Sequence, residues 1–304
     1  MALGIMCLVG AVRYPGFLTV ENLLNVLRQN SMVGIVALGM TLVILTGGID
    51  LSVGSVLAAA GMAAAAASSH GSVVAVGAGL GVGALLGLLN AGLIAGLRIP
   101  PFIATLATMI AVRGTVLGLS HEESIPSASN ASVLSWIGRG WVGSIPVPVL
   151  VLLFGYGIVF LMLRYTAFGR RIYAVGDDVQ AARLLGLRVN RVLVATYALS
   201  GLAAGVAGVM LVGRLGVAQP VAATGWELDA IAAVVVGGTL LTGGRGGVGR
   251  TLVGVLLLAV ILNLLNLEGT ISPWWQWVIR GLFLLAVVAL QMESGKRKRA
   301  YAHA

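Results

Sequence analysis

Long unbroken apolar runs constrain this chain more than any other feature. They fall at about 1–13, 30–46, 51–69, 72–97, 101–119, 147–163, 192–213, 228–242, 248–267 and 275–291. Only 10% of the 304 residues are charged and mean hydropathy is +1.02. A soluble domain carries roughly 25% charged residues, so this chain cannot clothe a water-facing surface. Lipid admits only helices or closed barrels, because every backbone polar group must be satisfied internally. The runs are continuous rather than alternating, which selects helices of about 20 residues. The sequence therefore predicts an all-α, polytopic transmembrane helical bundle of about ten spans. Met1–Val12 is too short to cross alone and reads as a shortened first span. The 44 glycines, about twice the usual ~7%, suit helices that pack at close range.

Charge gives the direction. The connection between Leu163 and Val192 carries Arg164, Arg170, Arg171, Arg183, Arg188 and Arg191 against only Asp177 and Asp178. Arg245 and Arg250 mark a second basic loop, and Lys296, Arg297, Lys298 and Arg299 mark the tail. Alternate crossing puts all three on one side and gives the other side Glu21, Glu122, Glu123, Glu227, Asp229 and Glu268. The basic side is predicted to be cytoplasmic, with the C-terminus there. Topology accounts for the +9 charge without nucleic acid. Cys7 is the single cysteine, and His70, His121 and His303 are far apart, so neither a disulfide nor a metal site is indicated.

One short pattern occurs twice. Leu45-Thr46-Gly47-Gly48 ends one apolar run and Leu241-Thr242-Gly243-Gly244 ends another, each followed by a Val-Gly pair. Paired glycines permit a sharp reversal, so both are candidate hinges. They fit either two parallel-related halves or a coincidence in a glycine-rich chain. Asp50 follows the first copy. It is read either as a cap for the helix beginning near 52 or as a functional intramembrane carboxylate.

The connection at 164–191 carries chemistry of its own. Asp177 to Gly186 reads as one short helix with Asp177 as cap, Gln180 in capping-box position and Gly186 as stop. Such a helix is too short to stand alone in water. Small Ala181, Ala182 and Gly186 suit close approach by a neighbour, and Arg183 suits an acidic groove.

The stretch Leu45-Thr46-Gly47-Gly48-Ile49-Asp50-Leu51-Ser52-Val53-Gly54-Ser55 resembles the signature of ribose-type sugar ABC importer permeases. So do Thr166-Ala167-Phe168-Gly169-Arg170-Arg171-Ile172-Tyr173-Ala174-Val175-Gly176, then Ala181-Ala182-Arg183-Leu184-Leu185-Gly186, and the block Gly237–Gly249. The resemblance spans roughly residues 18–292. It implies a permease domain over 1–292 and a basic cytoplasmic tail over 293–304, in a bacterial inner membrane. It also implies a second permease subunit (homodimer or heterodimer), two cytoplasmic ATPase subunits, an extracytoplasmic sugar-binding protein and surrounding lipid. The 177–186 helix would be the coupling helix, with Gly169, Arg170, Gly176, Asp177, Gln180, Ala181, Ala182, Arg183 and Gly186 at the ATPase contact.

No phosphate-binding Gly-x-x-x-x-Gly-Lys-Ser/Thr loop is present. Nucleotide and Mg are therefore expected on the partner ATPase, with no cofactor here. Asn90, Thr105, Thr108, Asn263 and Asn266 fall inside apolar runs and are candidates to line a path for a neutral polyol, or else to bond helix to helix. Arg113 and Arg280 are the other charges within runs, read as snorkelling or interhelical groups. Two rivals remain at this stage. An ion-coupled secondary transporter would need a carboxylate at membrane depth, and none is evident by position. A membrane-embedded hydrolase could use Ser200, but no histidine lies within a run to activate it.

Overall fold

The computed structural model describes residues 2–269 apart from Ser129, together with scattered positions between 272 and 289. The described residues are mostly helical: α1 Ala2–Arg13, α2 Val20–Leu45, α3 Val53–Ala67, α4 Ser72–Ala91, α5 Pro101–Ser120 and α6 Ser132–Arg139, then α7 Val147–Tyr165, α8 Ala167–Asp177, α9 Val179–Leu184, α10 Val189–Leu215, α11 Trp226–Val236 and α12 Val248–Glu268. Two-residue strands pair Ile125–Pro126 with the distant Val217–Ala218, and Trp141–Val142 with the adjacent Ile145–Pro146.

Seven of the described helices are long and apolar enough to cross a membrane: α2, α3 with its 3-10 extension to His70, α4 with its π turn to Gly96, α5, α7, α10 and α12. The remaining predicted runs behave differently. α1 has only 12 residues. The run at 228–242 is cut to an 11-residue helix that stops at Val236. Its apolar character continues, but Gly238 takes a φ of +89° and turns the chain out of the helix. The run at 275–291 lies largely outside the described residues, as do Arg280 and the basic tail. α2 is longer than its apolar run, beginning at Val20, where Thr19 caps it by accepting from Asn22 N–H at 3.3 Å.

Contacts define two faces. Leu45, at the end of α2, meets the loop before α12, and Asn190, at the start of α10, bonds the Ala95 carbonyl at 2.9 Å. These ends share a face with α8 and α9. At the far face, Arg13 meets Glu268 at 3.5 Å, and Ser127 N–H bonds the Gly216 carbonyl at 2.9 Å.

The centre of the bundle is α10 against α4, and glycine makes that contact possible. Gly79, Gly83 and Gly87 recur every fourth residue on α4 and face Gly201 and Gly205 of α10. A methyl on Gly83 would lie 2.5 Å from the Gly201 carbonyl and 2.7 Å from Gly205 Cα, so the backbones touch directly. Gly81, two residues before Gly83, faces open space. We expect Gly83→Leu to cost ~3 kcal/mol or more, at the upper end of overpacking, and Gly81→Leu to be tolerated. Thermal unfolding of the two purified variants reads this directly. Equal stability would contradict the close contact.

Candidate functional site

Three places carry polar chemistry. The first is a cavity of about 490 Å³ toward the far face, between α2, α11 and α12. α2 contributes Asn22, Asn25 and Gln29, spaced three and four residues apart so that they share a helix face, with Asn30 beside them. α12 contributes Asn263 and Asn266, α11 contributes Trp226 and Asp229, and Arg214 closes the end of α10. Asn22 and Asn263 exchange reciprocal amide hydrogen bonds at 3.0 and 2.9 Å, which fixes both groups. Carboxamides offer donor and acceptor together without charge. With an indole alongside, they form a surface suited to hydroxyl groups and to the C–H face of a small polyol.

Asn263 and Asn266, expected from sequence, line this cavity. Asn90, Thr105 and Thr108 do not; they are buried elsewhere, between α3, α4 and α5. The α2 residues were missed because their polarity made 20–29 look like a loop. The signal was the i, i+3, i+7 spacing of Asn22, Asn25 and Gln29.

The second place is the break between α2 and α3. Asp50 is 1% exposed. Its Oδ1 accepts from Ser52 N–H at 3.0 Å and Ser52 Oγ at 2.6 Å, and its Oδ2 from Ser200 Oγ at 2.8 Å. Asn90 Nδ2 donates to Ser52 Oγ at 2.8 Å, and Thr105 Oγ1 to the Ile49 carbonyl at 3.2 Å. Asp50 thus bonds the amide of Ser52, the residue preceding α3, and also ties α3 to α10. Ser200 stands eleven residues into α10, about 16 Å along its axis. The chain therefore encloses a carboxylate beside the middle of a candidate span, in keeping with one of the two readings open at Asp50. It does not line the cavity.

Asp50→Asn keeps an acceptor for Ser52, and the Ser200 hydroxyl can turn to accept from the new amide, so we expect near-normal stability. Asp50→Ala strands three donors in the interior and should cost about 1–3 kcal/mol. Denaturation midpoints for the two variants give the comparison. Equal loss in both would assign the effect to charge instead.

At the α8 face the two Leu-Thr-Gly-Gly copies lie against each other. Gly244 N–H donates to the Leu45 carbonyl at 3.0 Å. Gly47, Gly243 and Gly244 all have positive φ, at +79°, +85° and +71°. Gly176, near the end of α8, packs into the same junction: a methyl there would overlap the Leu45 carbonyl and sit 2.6 Å from Gly244 N. Gly48 lies beneath the Tyr197 hydroxyl, with no room for a side chain.

The third place is the α8–α9 projection. The turn from α7 is capped by Thr166 Oγ1, which accepts Gly169 N–H at 3.1 Å, and Gly169 packs on the Leu163 backbone. Two helices occupy the segment, where the sequence suggested one. Asp177 ends α8, and Asp178 caps α9 by accepting Gln180 N–H at 2.7 Å and Ala181 N–H at 3.0 Å. The cap is therefore one residue later than expected, and Gln180 is itself capped rather than completing a capping box. Ala182 is buried against the bundle, while Ala181, Gln180, Arg170 and Arg183 are exposed. Gly186 stops the helix with φ +75°, but its α-carbon faces open space rather than a packed neighbour. Leu184 and Leu185 are 90% and 80% exposed at the tip. Two such leucines, off the spans and beside arginines, form an exposed apolar tip rather than part of a core.

Residues 22–288 match the family described as branched-chain amino acid transport system / permease component. The chain is 43% identical over 296 residues to the ribose import permease protein RbsC of Escherichia coli (strain K12), covering 95% of this chain and 91% of that one. It is 44% identical over 296 residues to the protein of the same name from Bacillus subtilis (strain 168), covering 97% and 92%. Against the fructose import permease protein FrcC of Rhizobium meliloti it is 38% identical over 292 residues, covering 92% and 80%. No solved structure matches the chain.

Proposed function

The chain belongs to the family of branched-chain amino acid transport system permease components, and on that premise we propose that it is the membrane-spanning subunit of an ABC importer for a monosaccharide. The observation that carries the solute class is the carboxamide-lined cavity of Asn22, Asn25, Gln29, Asn263 and Asn266, beside the ribose and fructose named for its relatives. Carboxamides outnumber the charged Arg214 and Asp229 in this lining, and their paired donors and acceptors suit hydroxyl groups better than ions.

The orientation follows from charge. The α8 face carries Arg164, Arg170, Arg171, Arg183, Arg188 and Arg191 and is the cytoplasmic side, with the C-terminus there. The cavity then opens toward the outside, where a binding protein delivers solute. α9 is the coupling element: its exposed leucine tip and Arg183 enter a groove on the ATPase. Its movement reaches the interior through Gly176, which contacts both glycine turns at once. ATP is bound with Mg and hydrolysed on that partner, with two ATPases and two permeases in the assembly.

An ion-coupled reading draws on Asp50, the carboxylate enclosed beside a candidate span. Asp50 is enclosed by Ser52 and Ser200 away from the cavity, so a solute in the cavity has no contact with it.

The test is copurification with the neighbouring ATPase, followed by its hydrolysis rate with and without sugar-loaded binding protein. Retention of the ATPase and a rate raised only by the loaded protein support the assignment. A permease that retains no ATPase and takes up sugar on an ion gradient alone would replace it with the ion-coupled reading.

A further inference from the structure

Apart from the cavity, the glycine turns and the leucine tip, one cationic recess has no role in the transport account. It has a volume of about 340 Å³ and lies between the start of α8, the turn after α9 and the first turns of α10. Arg171, Arg188 and Arg191 line it, and no acidic side chain does. None of the three guanidinium groups makes a hydrogen bond or ion pair among the described residues. Three exposed, unpaired guanidinium groups around one recess concentrate positive potential there, which favours an anion among them.

The rest of the lining defines the anion. Phe168, Leu187, Val192 and Ala195 make the other wall apolar. Phe168 follows the end of span α7 at Tyr165 by three residues, and Val192 and Ala195 belong to the first two turns of span α10. The recess therefore sits where spans meet the membrane surface, with a charged side and a greasy side. A free phosphate would leave the apolar wall unused. An acidic loop of a soluble partner would meet the exposed tip at Leu184 and Leu185 first.

We propose that this recess binds the phosphate head of an anionic phospholipid, with the guanidinium groups on the phosphate and the first acyl carbons against Phe168, Val192 and Ala195. Arginine's planar fork suits a phosphate, and basic recesses between spans are known lipid sites. The bound lipid would brace α8 against α10 from the bilayer side, independently of any ATPase contact.

Native mass spectrometry of the full-length permease, in equal phosphatidylglycerol and phosphatidylcholine, tests this. Each cationic contact at about fivefold, or ~1 kcal/mol, gives wild type a preference for phosphatidylglycerol on the order of a hundredfold. The triple variant R171Q/R188Q/R191Q should lose that preference, and Arg188→Gln alone should weaken it by about fivefold. Phosphatidylglycerol should also raise the Tm of wild type and not of the triple variant. The single variant keeps the test decisive if the triple variant does not fold. Unchanged lipid preference in Arg188→Gln overturns the proposal. Displacement of the lipid by millimolar inorganic phosphate would mark a free-anion site and also overturn it. Loss of ATPase retention with lipid preference intact would assign the arginines to the ATPase interface instead.

Discussion

Changing Leu184 and Leu185 together to aspartate should abolish retention of the partner ATPase while leaving the permease folded. Both side chains stand almost fully in solvent at the end of α9 and touch nothing that stabilises the bundle. α9 itself has six residues and is held by the Asp178 cap and by buried Ala182, neither of which changes. An apolar anchor in a protein groove is worth ~2 kcal/mol or more, or about thirtyfold in affinity. Two anchors replaced by carboxylates should leave no measurable complex in a pull-down, and uptake should fall with it. Gly186→Ala is a milder companion: the methyl meets open space, but φ of +75° is strained for any L side chain. Normal ATPase retention by the aspartate pair would remove α9 from the coupling path.

The second large effect is expected at Gly176. Valine there would drive its methyl groups into the Leu45 carbonyl and the Gly244 amide, the two partners of the bond joining the glycine turns. Neither obstacle is a flexible side chain, so the backbone must move, and the cost should exceed the ~1–3 kcal/mol of ordinary overpacking. Uptake should drop below about a tenth of wild type even where protein reaches the membrane, since 1.4 kcal/mol already corresponds to tenfold. Gly249→Val, four residues beyond Arg245, meets open space in α12 and should transport normally. A transport-competent Gly176→Val would show that α8 moves free of the turns.

The helical, multi-span character was plain from unbroken apolar runs, because nothing but helices could satisfy their backbone in lipid. The glycine turns were legible too, as Gly47, Gly243 and Gly244 are needed where φ is positive. Their mutual contact was not, since residues two hundred apart meet only through tertiary packing. Hydropathy also could not reveal that α11 ends at Val236, because two glycines of near-neutral hydropathy barely lower the average of the run that continues to Leu241. α8 escaped notice for the opposite reason: Arg170 and Arg171 alternate with buried Ile172 and Val175, and a hydropathy average cancels them. Within the cavity, Asn263 and Asn266 stood out against an apolar run, while Asn22, Asn25 and Gln29 lay in a stretch already polar. Asp50 shows the limit of position along the chain. It falls between two spans yet is held well inside the bundle by Ser200.

The central claim is that this chain passes a monosaccharide through the membrane when a separate ATPase supplies the work. The direct measurement is uptake of labelled ribose or fructose by proteoliposomes that hold the permease with its ATPase, with binding protein outside and ATP inside. The account predicts accumulation of one of these sugars that requires ATP and binding protein, survives collapse of ion gradients, and falls when Asn263 is changed to leucine. Accumulation that proceeds without ATP and stops when the gradients are collapsed would contradict it.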